Sequence, residues 1–208
     1  MSQRTLFGAV LVGIAVLGIA WMTATRSTPI TYPTAGTSII AFGDSLVYGL
    51  GTTEGNDFVS LLSTRIGVSI MNLGVSGNTA ADGLSRIDDV LSEDPRVVIV
   101  LLGGNDTLRR VPVEQTFADL AAIIERVQSV GAGVILVGVP GGWYGGRYDK
   151  EYATLARTYR AAYVPNILKG LIGRQEYMAD TIHPNDAGHR IMADRIEPAL
   201  RDMLAGGR

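Results

Sequence analysis

Apolar positions along the chain follow two patterns. From Ser38 onward, short and nearly continuous apolar runs alternate with amphipathic stretches. The runs are residues 38–42 (SIIAF), 68–73 (VSIMNL), 96–102 (RVVIVLL), 133–139 (GVILVGV) and, more weakly, 161–164 (AAYV). They are rich in β-branched residues and do not alternate with polar ones, as expected of strands buried on both faces. Residues 57–66, 79–91, 113–130 and 149–159 carry apolar side chains at helical spacing between the runs, and residues 185–204 do so at the end. This repeated alternation predicts an α/β domain over residues 38–208, with a parallel sheet covered by helices and right-handed crossovers. In such sheets ligands bind beyond the carboxyl ends of the strands, so the loops there are the places to look for chemistry.

The second pattern is a single block. Residues 6–22 (LFGAVLVGIAVLGIAWM) contain no charge, and as a helix they would measure about 26 Å, near the lower limit for a bilayer core. Ala20-Trp21-Met22 lacks the small residue that cleavage after it would need, while Trp21 and Arg4 suit an anchored segment. We read residues 1–22 as an N-terminal hydrophobic helix serving as a signal anchor or signal peptide, and either role exports the domain. A buried helix of the domain itself is the third reading. Residues 23–37 (TATRSTPITYPTAGT) are rich in Thr and Pro and have no apolar period, so they read as an extended linker.

Composition sharpens this division. The 208 residues are 47% hydrophobic, but much of the excess belongs to the leader. From Ser27 onward 16 Lys and Arg face 20 Asp and Glu, a net charge of −4 with no basic run, which argues against nucleic acid as a partner. With no cysteine in the chain, disulfides, thiol catalysis and a lipidated cysteine are all excluded.

The loops after the runs read GDSL (43–46), GVSGNT (74–79), GGND (103–106) and PGGWYGGRY (140–148), and DTIHP (180–184) comes late. The protein has only two histidines, and one of them lies in this last stretch. His183 follows Asp180 by three residues, near enough in a turn for the carboxylate to hold Nδ1–H and leave Nε2 free as a base. Ser45, directly after a buried strand, is the natural nucleophile, with Ser76 as its rival. A metal pair of Asp180 and His183 would need further ligands, and His189 alone does not supply them at zinc-site spacing. Asp44 and Asp106 read as loop braces, and Asn56 with Asp57 as a helix start. Trp143, Tyr144 and Tyr148 read either as packing over a glycine-rich loop or as the wall of a substrate pocket. Tyr177 and Met178 are similar candidates.

GDSL after the first strand, glycine in the second loop, GGND after the third strand and a late DxxH, in that order, resemble the GDSL/SGNH hydrolase family from about Ser38 to Leu204. The stretches VVIVLLGGNDTLRRVPVEQT, YGGRY and DTIHPNDAGHRIMAD are similar to its bacterial multifunctional acyl-CoA thioesterase, lysophospholipase and arylesterase subgroup. The resemblance implies a three-layer flavodoxin-like sandwich with a five-stranded parallel sheet, and neither metal nor cofactor. It also implies a triad of Ser45, Asp180 and His183, and an oxyanion hole formed by Ser45, Asn105 and a glycine. The spacing from Asn72 and the SGNT context favour Gly77 as that glycine, while Gly74 fits a looser alignment of the block.

The expected function is a serine esterase acting on small or medium acyl esters or thioesters, arylesterase-, acyl-thioesterase- or lysophospholipase-like, through an acyl-enzyme, outside the cytoplasm and membrane-held if the leader is retained. A carbohydrate O-acetyl esterase is the alternative within the same chemistry. A non-catalytic, membrane-tethered binding module is the alternative from another class.

Overall fold

The computed structural model describes residues 30–142 and 145–206. The leader at 1–22, linker residues 23–29, Trp143 and Tyr144 lie outside the described residues. Five parallel strands form one sheet: β1 (Ser38–Gly43), β2 (Ile70–Gly74), β3 (Pro95–Leu101), β4 (Gly133–Val137) and β5 (Ala162–Val164). Their order is β2-β1-β3-β4-β5, so the chain reverses direction across the sheet between β1 and β3. Residues 97–102 are fully buried, which explains why the third run is apolar throughout after Arg96.

Helices cover both faces. α1 (Ser45–Tyr48) follows β1 directly, and α2 (Phe58–Ile66) leads to β2. α3 (Ala80–Ser85) and α4 (Ile87–Leu91) lead to β3, and α5 (Gly104–Leu108) and α6 (Val113–Ser129) to β4. α7 (Gly146–Tyr159) leads to β5, and α8 (Asp186–Gly206) closes the domain. α2 packs with α8 on one face, and α3, α4 and α7 pack against α6 on the other, giving three layers. Among the described residues no helix is long and apolar enough to cross a membrane.

Three local departures from the sequence reading have physical causes. The helical stretch at 79–91 is broken at Arg86, whose backbone leaves the helical region as its side chain turns inward to donate to carbonyl oxygens. α7 begins at Gly146, three residues earlier than the apolar spacing suggested. Finally, residues 30–37 are not a free tether. The Thr31, Thr34 and Thr37 N–H groups donate to the carbonyls of Arg160, Gly131 and Asp94, each just ahead of a strand, and Pro33 is buried. The final part of the linker therefore lies across the amino ends of β3, β4 and β5.

Candidate active site

β1 and β3 lie side by side where the strand order reverses, and the loops after them open a crevice beyond their carboxyl ends. Asp44 caps α1 by accepting the Leu46 N–H at 2.9 Å, which fixes Ser45 as the first residue of that short helix. Ser45 is 8% exposed. At this position its N–H has no partner within the helix and is available to a ligand.

The turn before α8 brings the imidazole to the serine. Asp180 Oδ1 accepts the N–H groups of Ile182 (2.8 Å) and His183 (2.7 Å), and Oδ2 lies 2.7 Å from His183 Nδ1. The His183 N–H and these two backbone donors hold the Asp180 carboxyl down at about 2. An ionised carboxylate can only accept, so Nδ1 carries the ring proton and Nε2 has a free lone pair. Nε2 sits 3.1 Å from Ser45 Oγ. The turn itself is pinned: Ala179 N–H donates to the His183 carbonyl, and Asn185 N–H to that of Tyr177. Ser45, Asp180 and His183 therefore form one hydrogen-bonded line. Ser76 is exposed in the next loop and has no imidazole partner among the described residues.

The two candidate glycines differ in what their N–H groups do. The Gly74 N–H is already spent on Asn72 Oδ1 at 3.0 Å, and a Cβ there would lie 2.2 Å from the Tyr48 nitrogen, so this glycine is required by packing. Gly77 sits in a turn at φ +85°, a left-handed conformation suited to glycine. Its carbonyl accepts from Arg109, and its N–H has no acceptor among the described residues. Across the crevice, the Asn105 side-chain amide donates to the Asn78 carbonyl at 2.9 Å and lies 3.3 Å from Asp44 Oδ2. Asp44 and Asp106 are buried carboxylates that brace this region, Asp44 by capping α1 and Asp106 by accepting the Ala80 N–H at 3.0 Å. Burial beside Asp106 pushes the Asp44 carboxyl up to about 6, and burial raises Asp106 as well.

Ser45, His183 and Asn105 face a cavity of about 180 Å³. Its apolar wall includes Leu108, Val139, Pro140, Leu168, Ile172 and Ile182. The expectation that Tyr148 forms this wall is corrected. The early start of α7 puts Tyr148 and Tyr152 one turn apart on its inward face, where both are fully buried edge-to-face against Phe117. Tyr177 and Met178 pack against the core beneath the triad turn. His189 is fully buried, accepts the Phe58 N–H at 3.1 Å and stacks on that ring; burial lowers it to about 4. Sequence reading missed Leu108, Ile172 and Ile182, although large apolar residues in loops beside the motifs were a usable signal. All three are more than two-fifths exposed.

Comparison with known proteins agrees with this architecture. Over 189 residues the chain is 33% identical to the esterase TesA of Pseudomonas aeruginosa, an alignment spanning 84% of this chain and 93% of that one. It is 29% identical over 180 residues to thioesterase 1/protease 1/lysophospholipase L1 of Escherichia coli, spanning 82% and 86% of the two chains. A crystal structure of TesA superposes with a TM-score of 0.75 at 33% identity, covering 81% of this chain and 100% of that one. Residues 41–191 match the GDSL-like Lipase/Acylhydrolase family. The chain belongs to that family and is a hydrolase acting on ester bonds.

Proposed function

We propose that this protein hydrolyses carboxylic esters and thioesters of short acyl or aryl groups through a Ser45–His183–Asp180 triad and an acyl-enzyme. The observation that carries the reading is the 3.1 Å approach of His183 Nε2 to Ser45 Oγ at the mouth of an apolar cavity, with Asp180 on the opposite ring nitrogen. His183 takes the Ser45 proton as Oγ attacks the acyl carbonyl. The developing oxyanion is met by the N–H groups of Ser45 and Gly77 and by the Asn105 amide, for which one amide hydrogen turns away from its long contact to Asp44. The imidazolium protonates the departing alcohol or thiol. It then deprotonates a water that attacks the acyl-enzyme, and the acid leaves with Ser45 restored. Asp180 stays ionised throughout and holds the ring.

The cavity is small, about 180 Å³, and its wall is apolar, which supports a short acyl group as the substrate. The relatives' names, an esterase and a thioesterase 1/protease 1/lysophospholipase L1, support ester and thioester hydrolysis. In this reading the domain works outside the cytoplasm and residues 6–22 keep it at the membrane, on the strength of their charge-free length. A series of p-nitrophenyl esters from acetate to laurate, with matched thioesters, tests both parts on the full-length chain in cell fractions. Rates peaking at two to four acyl carbons and sedimenting with membranes are expected. Rates rising toward laurate would overturn the short-acyl part, and wholly soluble activity the anchor. Faster release of acetate from an acetylated glycan than from p-nitrophenyl acetate would shift the reading to a carbohydrate O-acetyl esterase.

A further inference from the structure

We infer that Arg86 is a positioning residue for the oxyanion donors and acts through Asn78; the inference rests on the esterase reading above. Arg86 occupies the break between α3 and α4, and its half-buried guanidinium reaches beneath the crevice floor. Nε donates to Asn78 Oδ1 at 2.6 Å, Nη1 to the Leu73 carbonyl at 3.1 Å and Nη2 to the Gly43 carbonyl at 2.8 Å. Its Cζ lies 4.2 Å from the centre of the Phe42 ring, a cation–π contact. Among the described residues no carboxylate lies within ion-pair distance of it. The charge is spent on three neutral oxygens.

Those oxygens belong to the three segments that must keep register for the reaction. Gly43 ends β1 and immediately precedes Asp44 and Ser45. Leu73 is next to the end of β2. Asn78 closes the turn holding Gly77, its N–H donating to the Val75 carbonyl at 3.1 Å. One planar fork therefore sets the distance between the nucleophile's strand and the Gly77 turn, a geometry that a single ammonium cannot reproduce. The chain of bonds continues to the third donor, because the Asn78 carbonyl accepts the Asn105 amide at 2.9 Å. Arg86 thus touches neither substrate nor reacting atoms, yet the Gly77 and Asn105 donors are both aligned through the residue it holds. Oxyanion donors act on the transition state far more than on bound substrate, and small misplacements are costly.

The test uses the full-length protein with p-nitrophenyl butyrate and the variants Arg86→Lys, Arg86→Ala, Asn78→Ala and the double Ala variant. We expect Arg86→Ala to lower kcat about 10- to 100-fold with KM within about twofold, a split that marks loss of transition-state binding alone. Arg86→Lys should recover only part of that rate, and millimolar guanidinium should restore part of it to Arg86→Ala. The double variant should be no slower than Arg86→Ala, because both changes cut the same link. Unchanged kcat in Arg86→Ala, or losses that multiply in the double variant, would overturn the inference. Should Arg86→Ala fail to fold, Arg86→Lys and Asn78→Ala carry the same test, and unchanged kcat in both overturns it. A wild-type protein inert toward the ester refutes the esterase reading itself, whereas an active wild type with unmoved variants refutes only the role of Arg86.

Discussion

At the carboxyl ends of the strands the chain buries charge; at the amino ends it buries almost none. Asp44, Asp106 and half of Arg86 lie beneath the crevice, each desolvated and held by hydrogen bonds to residues at strand and helix ends. Residues 30–37 close the opposite end with three neutral backbone bonds and a buried proline, and the side-chain contacts there, Tyr32 to Asp202 and Thr37 to Asp94, stay exposed. Buried carboxylates oppose folding when ionised, so one end of this sheet gives up stability for preorganised polar groups while the other is simply stitched shut. Ile30, the first of the described residues, lies at the end of the sheet remote from the cavity.

Two changes, one at each end, should separate these roles. Asn105→Ala should lower kcat about 100- to 1000-fold while moving Tm by no more than a few degrees. Starting the chain at Ser38 should do the reverse. Three backbone hydrogen bonds at about 1 kcal/mol each predict a Tm about 6–12 °C lower, with kcat within about twofold. A tail deletion that cost activity at temperatures well below Tm would erase the contrast.

Acid titration gives a smaller effect and a sharper comparison, because two buried groups oppose each other. His189 is lowered from 6.5 to about 4, so between those values the unfolded chain binds more protons and stability falls as pH falls, by about 3 kcal/mol in all. Asp44 is raised from 3.8 to about 6, so the folded chain binds more protons there, and acidification relieves a cost of similar size. Wild-type Tm should therefore change little on their account between pH 6 and pH 4. In Asp44→Asn the relief is gone, and Tm should drop visibly over that window while lying above the wild-type value at pH 7. Parallel Tm–pH curves for the two proteins would show that Asp44 is not a desolvated acid.

The layers and sheet of this domain were legible because burial on both faces writes continuous apolar runs and surface helices write amphipathic ones. β3 and α6 are read within a residue or two at most ends. Short elements were not legible: α1 and α5 exist because Asp44 and Gly103 turn the chain at strand ends, and four or five residues carry no period. Tyr148 was misread because side-chain direction in α7 depends on where that helix begins, which a glycine-rich stretch leaves unmarked. Residues 30–37 looked like a tether because their attachment runs through backbone N–H groups, which composition does not reveal. At the site, Ser45, Asp180, His183 and Asn105 stood out by motif and are brought together in the crevice. The SGNT context favours Gly77 over Gly74, and the bond from the Gly74 N–H to Asn72 supplies a physical reason for that preference. Arg86 went unnoticed, since an arginine between two helical segments looks like solvated surface until its three acceptors are seen.

The proposed chemistry depends on Ser45 being a nucleophile activated by His183. The most direct measurement is mass-spectrometric mapping of the adduct formed with a fluorophosphonate ester, in wild type and in His183→Ala. Stoichiometric labelling of the peptide containing Ser45 and no other serine is expected, with ester hydrolysis lost in proportion, and labelling at least about 100-fold slower without the imidazole. Labelling at Ser76 instead, or an unlabelled Ser45 in a protein that still hydrolyses esters, would contradict it.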